Sequence, residues 1–172
     1  IHISATTPPE KLLRFMVGRW KLAMPEVLIS VIGGAQNFDV SPELLQTFKD
    51  GLAAAASAAR AWVFCGGTNS GCMQVVGEAF ANEKDVVLVG IAPYGCVHHR
   101  SLLSGCRSKI VGYPLVPKAN SRDGAQLQKD HTHFVFVDNK KEGVAGWGGE
   151  NRLRVETEAT ICGGGDVPSA VI

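Results

Sequence analysis

Apolar residues fall into short, nearly unbroken runs that alternate with stretches of helical spacing. The run Glu26-Val27-Leu28-Ile29-Ser30-Val31-Ile32 is rich in β-branched residues and stops at Gly33-Gly34, the pattern of a strand covered on both faces. Ser41-Pro42-Glu43 then starts a helix, with a side-chain oxygen for the first amides, a proline where no N–H is needed and an acid at the positive end of the dipole. Leu44, Leu45, Phe48, Leu52, Ala55, Ala56 and Ala59 recur at three- and four-residue intervals, so one stripe faces a sheet while Lys49 and Asp50 face water. Ala61-Trp62-Val63-Phe64-Cys65 predicts a second strand, closed again by a glycine pair, Gly66-Gly67, and Met73 to Phe80 a second helix with Val75, Val76, Ala79 and Phe80 inward. Val86 to Ala92 and His133 to Asp138 predict the third and fourth strands.

Strand, helix, strand, helix, strand in that order implies right-handed crossovers and an α/β fold, a Rossmann-like parallel sheet flanked by helices. Residues 93 to 130 have little periodicity and read as a long excursion with a short helix near His98 to Leu103. Lys140 to Gly149 is a polar, glycine-rich loop; Asn151 to Thr160 predicts a helix capped by Asn151 and ended by Gly163-Gly164-Gly165. Leu12 to Met16 predicts a short helix in an N-terminal arm, residues 1–19, ahead of a domain over residues 20–172. A new apolar strand begins after Val167-Pro168, so the expectation is a fragment of a larger protein, truncated within its domain.

Composition narrows this further. At 172 residues and 45% hydrophobic content there is room for one α/β domain with a buried core. Seventeen basic against sixteen acidic residues leave a formal charge of +1, which disfavours non-specific grip on nucleic acid or anionic lipid, so an anion must be held by local geometry. No stretch reaches the roughly 18–20 apolar residues of a membrane span. Cys65, Cys72, Cys96, Cys106 and Cys162 are odd in number and scattered, as expected of reduced thiols rather than a disulfide framework.

Chemistry concentrates at the two glycine turns. Neighbouring parallel strands end at the same edge, so Gly33-Gly34-Ala35 and Gly66-Gly67-Thr68-Asn69-Ser70-Gly71 are expected to meet and offer backbone N–H groups to a phosphate at the start of the following helices. Thr68, Asn69 and Ser70 add side-chain donors. A single glycine pair after a strand would signify only a tight turn; two pairs at successive strand ends favour an anion-binding crevice. The spacing matches neither Gly-x-Gly-x-x-Gly nor the phosphate-loop lysine motif, which disfavours a dinucleotide dehydrogenase or an NTPase. Cys96 with His98-His99, and His131 with His133, lack a complete metal-ligand set, so structural roles are expected for them. Cys72, beside a helix start, has the setting of a low-pKa thiol, although Cys65 and Cys72 as small packing residues are the simpler account.

Leu28-Ile29-Ser30-Val31-Ile32-Gly33-Gly34-Ala35-Gln36-Asn37-Phe38, Ala61-Trp62-Val63-Phe64-Cys65-Gly66-Gly67-Thr68-Asn69-Ser70-Gly71-Cys72-Met73 and Val76-Gly77-Glu78-Ala79 together resemble the amino-terminal homology region of melastatin-type TRP cation channels. Val89-Gly90-Ile91-Ala92 and His131-Thr132-His133-Phe134 before Val137-Asp138 extend the resemblance over roughly residues 20 to 172. That region is a Rossmann-like fold of the SLOG superfamily. The resemblance implies a cytoplasmic, ligand-sensing domain of a membrane-embedded, calcium-transporting channel. It implies no required cofactor, ADP-ribose or a related nucleotide as ligand, and the rest of the subunit and its neighbours in a tetramer as partners. It also implies that an aromatic and an arginine after the fourth strand contact the ligand. By position these are Trp147, where the family usually carries tyrosine, and Arg154, for which a plain helix-face charge is an equal reading. The superfamily also contains phosphoribohydrolases, whose glycine motif is similar to Gly66 to Met73. Their proline-glycine-glycine catalytic motif has no counterpart in this sequence, so a non-enzyme is expected, with a hydrolase or a non-binding assembly domain as alternatives.

Overall fold

A computed structural model describes residues 1–36, 39–83, 85–104, 110–115, 124–163 and 165–172. Asn37 and Phe38 of the resemblance motif, together with Cys106 and Gly164, lie outside the described residues. Six parallel strands form one sheet: β1 (His2–Ser4), β2 (Leu28–Ser30), β3 (Trp62–Cys65), β4 (Val87–Pro93), β5 (His133–Asp138) and β6 (Ser169–Val171), in the spatial order β1-β5-β4-β3-β2-β6. Among the described residues five α-helices accompany them: α1 (Pro9–Gly18), α2 (Pro42–Ala58), α3 (Gly71–Ala79), α4 (Arg100–Leu103) and α5 (Asn151–Cys162).

The chain steps from β2 to β3 to β4 in one direction and from β1 to β2 and β5 to β6 in the other. A single crossover hand therefore places the connecting helices on opposite faces. The core is divided accordingly. Leu52 and Ala56 of α2 and Met73 and Val76 of α3 pack with Ile29, Val63, Cys65 and Leu88 on one face. Leu12 and Met16 of α1 and Leu153 and Ile161 of α5 pack with Leu28, Trp62, Phe64, Val89 and Val135 on the other. Alternate residues of each strand supply the two layers, as the period of two along a strand requires.

Three expectations need correction. Residues 1–19 are not an appended arm: β1 pairs in register with β5, His2 opposite Phe136 and Ser4 opposite Asp138, and the apolar side of α1 is buried. A boundary at residue 20 would cut the sheet. The cap of α5 is Glu150, not Asn151, which is already the first helical residue. The regular part of β2 is also only Leu28–Ser30, although Val31 N–H and Ile32 N–H still donate to Phe64 O and Ile172 O of the neighbouring segments, both at 2.8 Å. The strand expected after Pro168 is present as β6, parallel to β2.

Candidate functional site

In an all-parallel sheet, every helix that follows a strand begins at the edge where the strands end. The starts of α2, α3 and α5 therefore share one crest, and they are finished differently. Ser41 caps α2, its Oγ accepting from the Leu44 N–H at 3.3 Å, with Glu43 in the first turn. At α3 the capping residue Ser70 makes no side-chain cap bond and the first turn carries no acid, so the positive end of this helix is not neutralised by its own sequence.

The two glycine turns meet at that point. Cys72 N–H donates to Gly34 O at 3.2 Å, and a Cβ on Gly71 would lie 2.1 Å from the same oxygen. Gly33, Gly34 and Ala35 are exposed, whereas Gly67, Thr68 and Gly71 are buried and Gly66, Asn69 and Ser70 are half-buried. The second turn is thus less open than its composition suggests. Residues 125–128 run against it: Asn69 N–H donates to Gln126 O at 2.8 Å, Gln128 N–H donates to Gly67 O at 3.0 Å, and Thr68 bridges Leu127. Gly67 has a φ of +73° and faces Gly90, whose Cα a Cβ would approach to 2.7 Å. These glycines let backbones touch, and the open face of the crest belongs to Gly33-Gly34-Ala35 and the start of α3. The Thr68 hydroxyl lies 3.2 Å from that of Ser70, which ties the turn to the helix start.

Arg154 comes to the same crest from the other side of the sheet. Its guanidinium is buried beneath the strand ends, where Nη2 donates to Ser30 Oγ at 2.8 Å, Val31 O at 3.0 Å and Phe64 O at 3.1 Å, and Nε donates to Glu158 Oε1 at 2.8 Å. Ser30 also donates to Glu158 at 2.7 Å, which closes the network. The plain helix-face reading of Arg154 is therefore set aside: that description fits Arg152, exposed and paired with Glu156 at 2.7 Å. Arg154 brings a fixed positive charge under both glycine turns, with Nη1 the edge of the guanidinium that none of these bonds uses.

Trp147 is 37% exposed and follows a one-turn segment, Gly143–Gly146, packed against the Tyr94–Cys96 turn after β4. A Cβ on Gly146 would lie 2.7 Å from Cys96 Sγ, so the two turns are pressed together. Trp147 thus lies in the connection between β5 and α5.

Glu150, in the same connection, escaped the sequence reading. Its Oε2 is buried and, among the described residues, is the one buried side-chain oxygen or nitrogen with no hydrogen-bond partner. Burial raises its pKa, against the opposing pull of its own backbone N–H and the Arg154 charge. An acid just before a helix is too common for sequence to single it out.

The thiols and imidazoles behave as packing groups. Cys65 Sγ lies 2.9 Å from His131 Nε2, and His131 Nδ1 lies 3.1 Å from Gln128 Oε1. Burial pushes the Cys65 thiol up to about 12 and His131 down to about 4, so the pair is neutral. Cys72 is raised as well, because burial outweighs the charge of Arg154, and the low-pKa thiol reading is overturned. Cys96 donates to Gly143 O at 3.2 Å, and His133 packs against Trp20 at a tilt of 45°, ring centres 4.5 Å apart. Among the described residues, no three His, Cys, Asp or Glu side chains gather as a metal set, and no helix is long and apolar enough to cross a membrane.

This architecture has named relatives. The chain is 37% identical over 166 residues to transient receptor potential cation channel subfamily M member 1 of Mus musculus. It is 34% identical over 166 residues to subfamily M member 7 of Homo sapiens, and 31% identical over 172 residues to subfamily M member 2 of Mus musculus. Each similarity covers 94% of this chain but only 10%, 9% and 11% of the respective relative, so the chain spans about a tenth of their length. The family of SLOG domains in TRPM matches residues 1–167, and the chain belongs to that family.

Proposed function

We propose that this domain is a ligand sensor of a TRPM-type cation channel, which seats the phosphates of ADP-ribose or a related nucleotide on the crest of its sheet and passes the occupancy to the channel gate. The observation that carries this reading is the start of α3, where Ser70 makes no side-chain cap bond and the first turn carries no acid, set against the exposed Gly33-Gly34-Ala35 turn. Helix starts of this kind favour anions through converging N–H groups and the dipole. Backbone amides of Gly34 and Ala35 hold the phosphate, and Ser70 and Asn69 orient it. Gly66, Gly67 and Thr68 fix the turn that presents them. Arg154 supplies charge from below, and Trp147 stacks a base or terminal ribose at the β5 side of the crest.

The relatives are named as cation channels, which supports a role in gating; in this reading the domain works on the cytoplasmic side of the membrane, with the rest of the subunit and neighbouring subunits as partners. Occupancy alters gating only so far as the nucleotide binds one arrangement of the domain more tightly than another.

Calorimetry with ADP-ribose tests the reading. Gly34→Asp places a negative charge in the exposed turn where the nearest atom a Cβ meets is 3.9 Å away, so the variant folds. Saturable heat in the parent chain and its loss in Gly34→Asp support the sensor. Absence of heat at millimolar ligand supports the alternative of a non-binding assembly domain.

A further inference from the structure

A cavity of about 500 Å³ opens on the flank of α3 and meets the crest at Asn69, the neighbour of the Ser70 that starts the helix. From there it is lined by Gln74 and Glu78, which follow Ser70 at intervals of four and so lie on one side of α3, about 6 and 12 Å along its axis. The facing wall comes from residues 126–130, part of the segment that runs against the second glycine turn. Leu115 and Leu127 give the cavity an apolar side. It thus leads away from the proposed phosphate seat, and it suits whatever group the phosphate carries.

The lining decides what that group is. Both of its carboxylates already hold a cation: Glu78 pairs with Lys49 through Oε2, and Asp130 with Lys129 at 2.8 Å. A further cation gains little there, and a second phosphate is repelled. Gln128 is fixed as well, its Nε2 donating to Asp130 Oδ2 and its oxygen accepting from the Asp130 N–H. Gln74 is different. Its Nε2 donates to Glu78 Oε1 at 2.8 Å, and because a carboxylate only accepts, this bond decides which way the amide faces. The second N–H and the oxygen Oε1 remain, on a half-buried residue of the cavity wall. A glutamine amide so presented matches an adenine edge: the oxygen accepts from the exocyclic amino group, and the N–H donates to the adjacent ring nitrogen. A 6-oxo purine sets an acceptor against the amide oxygen, and Glu78 opposes the flip that would accommodate it. We propose that this cavity is the base pocket of the domain, with Gln74, turned by Glu78, reading adenine. The proposal rests on the nucleotide-sensor reading above. It adds the class of base and leaves Trp147 to the terminal ribose.

The test is calorimetry with three probes: ADP-ribose, its inosine counterpart with a 6-oxo base, and inorganic pyrophosphate, which has the charge but no base. The parent chain is expected to bind ADP-ribose about tenfold or more tighter than the inosine ligand, the scale of one bidentate contact. Gln74→Ala, a change that a helix tolerates, is expected to bring the two ligands together and leave pyrophosphate unchanged. Ala81→Trp, at an exposed position of the cavity wall, fills the space and is expected to weaken ADP-ribose but not pyrophosphate. Equal binding of the two purine ligands by the parent chain overturns the proposal and leaves the phosphate seat standing. So does a preference that survives Gln74→Ala, or ADP-ribose binding undiminished in Ala81→Trp, because the base is then held elsewhere. Weakening of pyrophosphate by Gln74→Ala also overturns it, since the residue then acts through the fold of α3. Binding of none of the three probes removes the sensor reading and this one together.

Discussion

The two glycine turns look alike in sequence and do different work. Gly33-Gly34-Ala35 is open to solvent, and a Cβ on Gly34 meets nothing closer than 3.9 Å. The turn from Gly66 to Gly71 is wedged between the first turn, β4 and residues 125–128, with Gly67 and Gly71 at φ of +73° and +49°. One turn presents backbone to the outside, and the other spends its glycines on letting backbones touch. A glycine pair after a strand therefore reports a close approach, but the approaching partner can be a ligand or the protein itself.

The largest effect expected from this contrast is at Gly71. Gly71→Ala combines left-handed strain with a clash against Gly34 O and is expected to lose about 4 kcal/mol, whereas Gly34→Ala stays within about 0.5 kcal/mol, as measured by urea unfolding. Equal losses at the two positions would erase the distinction. Arg154 follows. Arg154→Met strips Ser30, Val31 O, Phe64 O and Glu158 of their shared donor and is expected to cost about 3 kcal/mol. The double variant Arg154→Met/Glu158→Met should recover part of that loss, since it leaves no buried charge unpaired.

Acid sensitivity sharpens the picture behind the second turn, where His131 supports Gln128. Burial holds His131 at about 4 against an ordinary 6.5, so the unfolded chain takes up the proton first as the pH falls. Stability should decline from about pH 6.5 down to about pH 4, by roughly 2–3 kcal/mol in total, and His131→Asn should flatten that slope in urea titrations. The smallest effect separates two helix starts. Ser41→Ala is expected to cost about 1 kcal/mol through the lost cap, and Ser70→Ala less in the ligand-free domain, because Ser70 makes no cap bond and gives up only its contact with the Thr68 hydroxyl. Matching losses would mean that α3 relies on Ser70 after all.

Much of this was legible in the residues. Strands buried on both faces read as unbroken apolar runs, and β5 emerges over its full length, His133 to Asp138. The Ser41-Pro42-Glu43 start of α2 carries its own chemistry. β1 was not legible, because His-Ile-Ser at a sheet edge has neither the length nor the composition of a buried strand and is specified by its pairing with β5. The buried role of Arg154 was hidden for a similar reason: Asn-Arg-Leu-Arg-Val-Glu-Thr-Glu reads as a solvated helix face, and only the packing of α5 under β2 turns one arginine inward. The different roles of the two glycine turns depend on partners such as Gly90 and Gln126, which lie elsewhere in the chain.

The central claim, that the exposed turn and the start of α3 form one phosphate seat, is tested most directly by following backbone amide resonances of the isotope-labelled chain during titration with ADP-ribose. The account predicts saturable shifts concentrated on Gly34, Ala35, Gly71 and Met73, with residues at the opposite edge of the sheet, such as Arg60 and Asp85, unmoved. Shifts centred on that opposite edge, or none at saturating ligand, would contradict it.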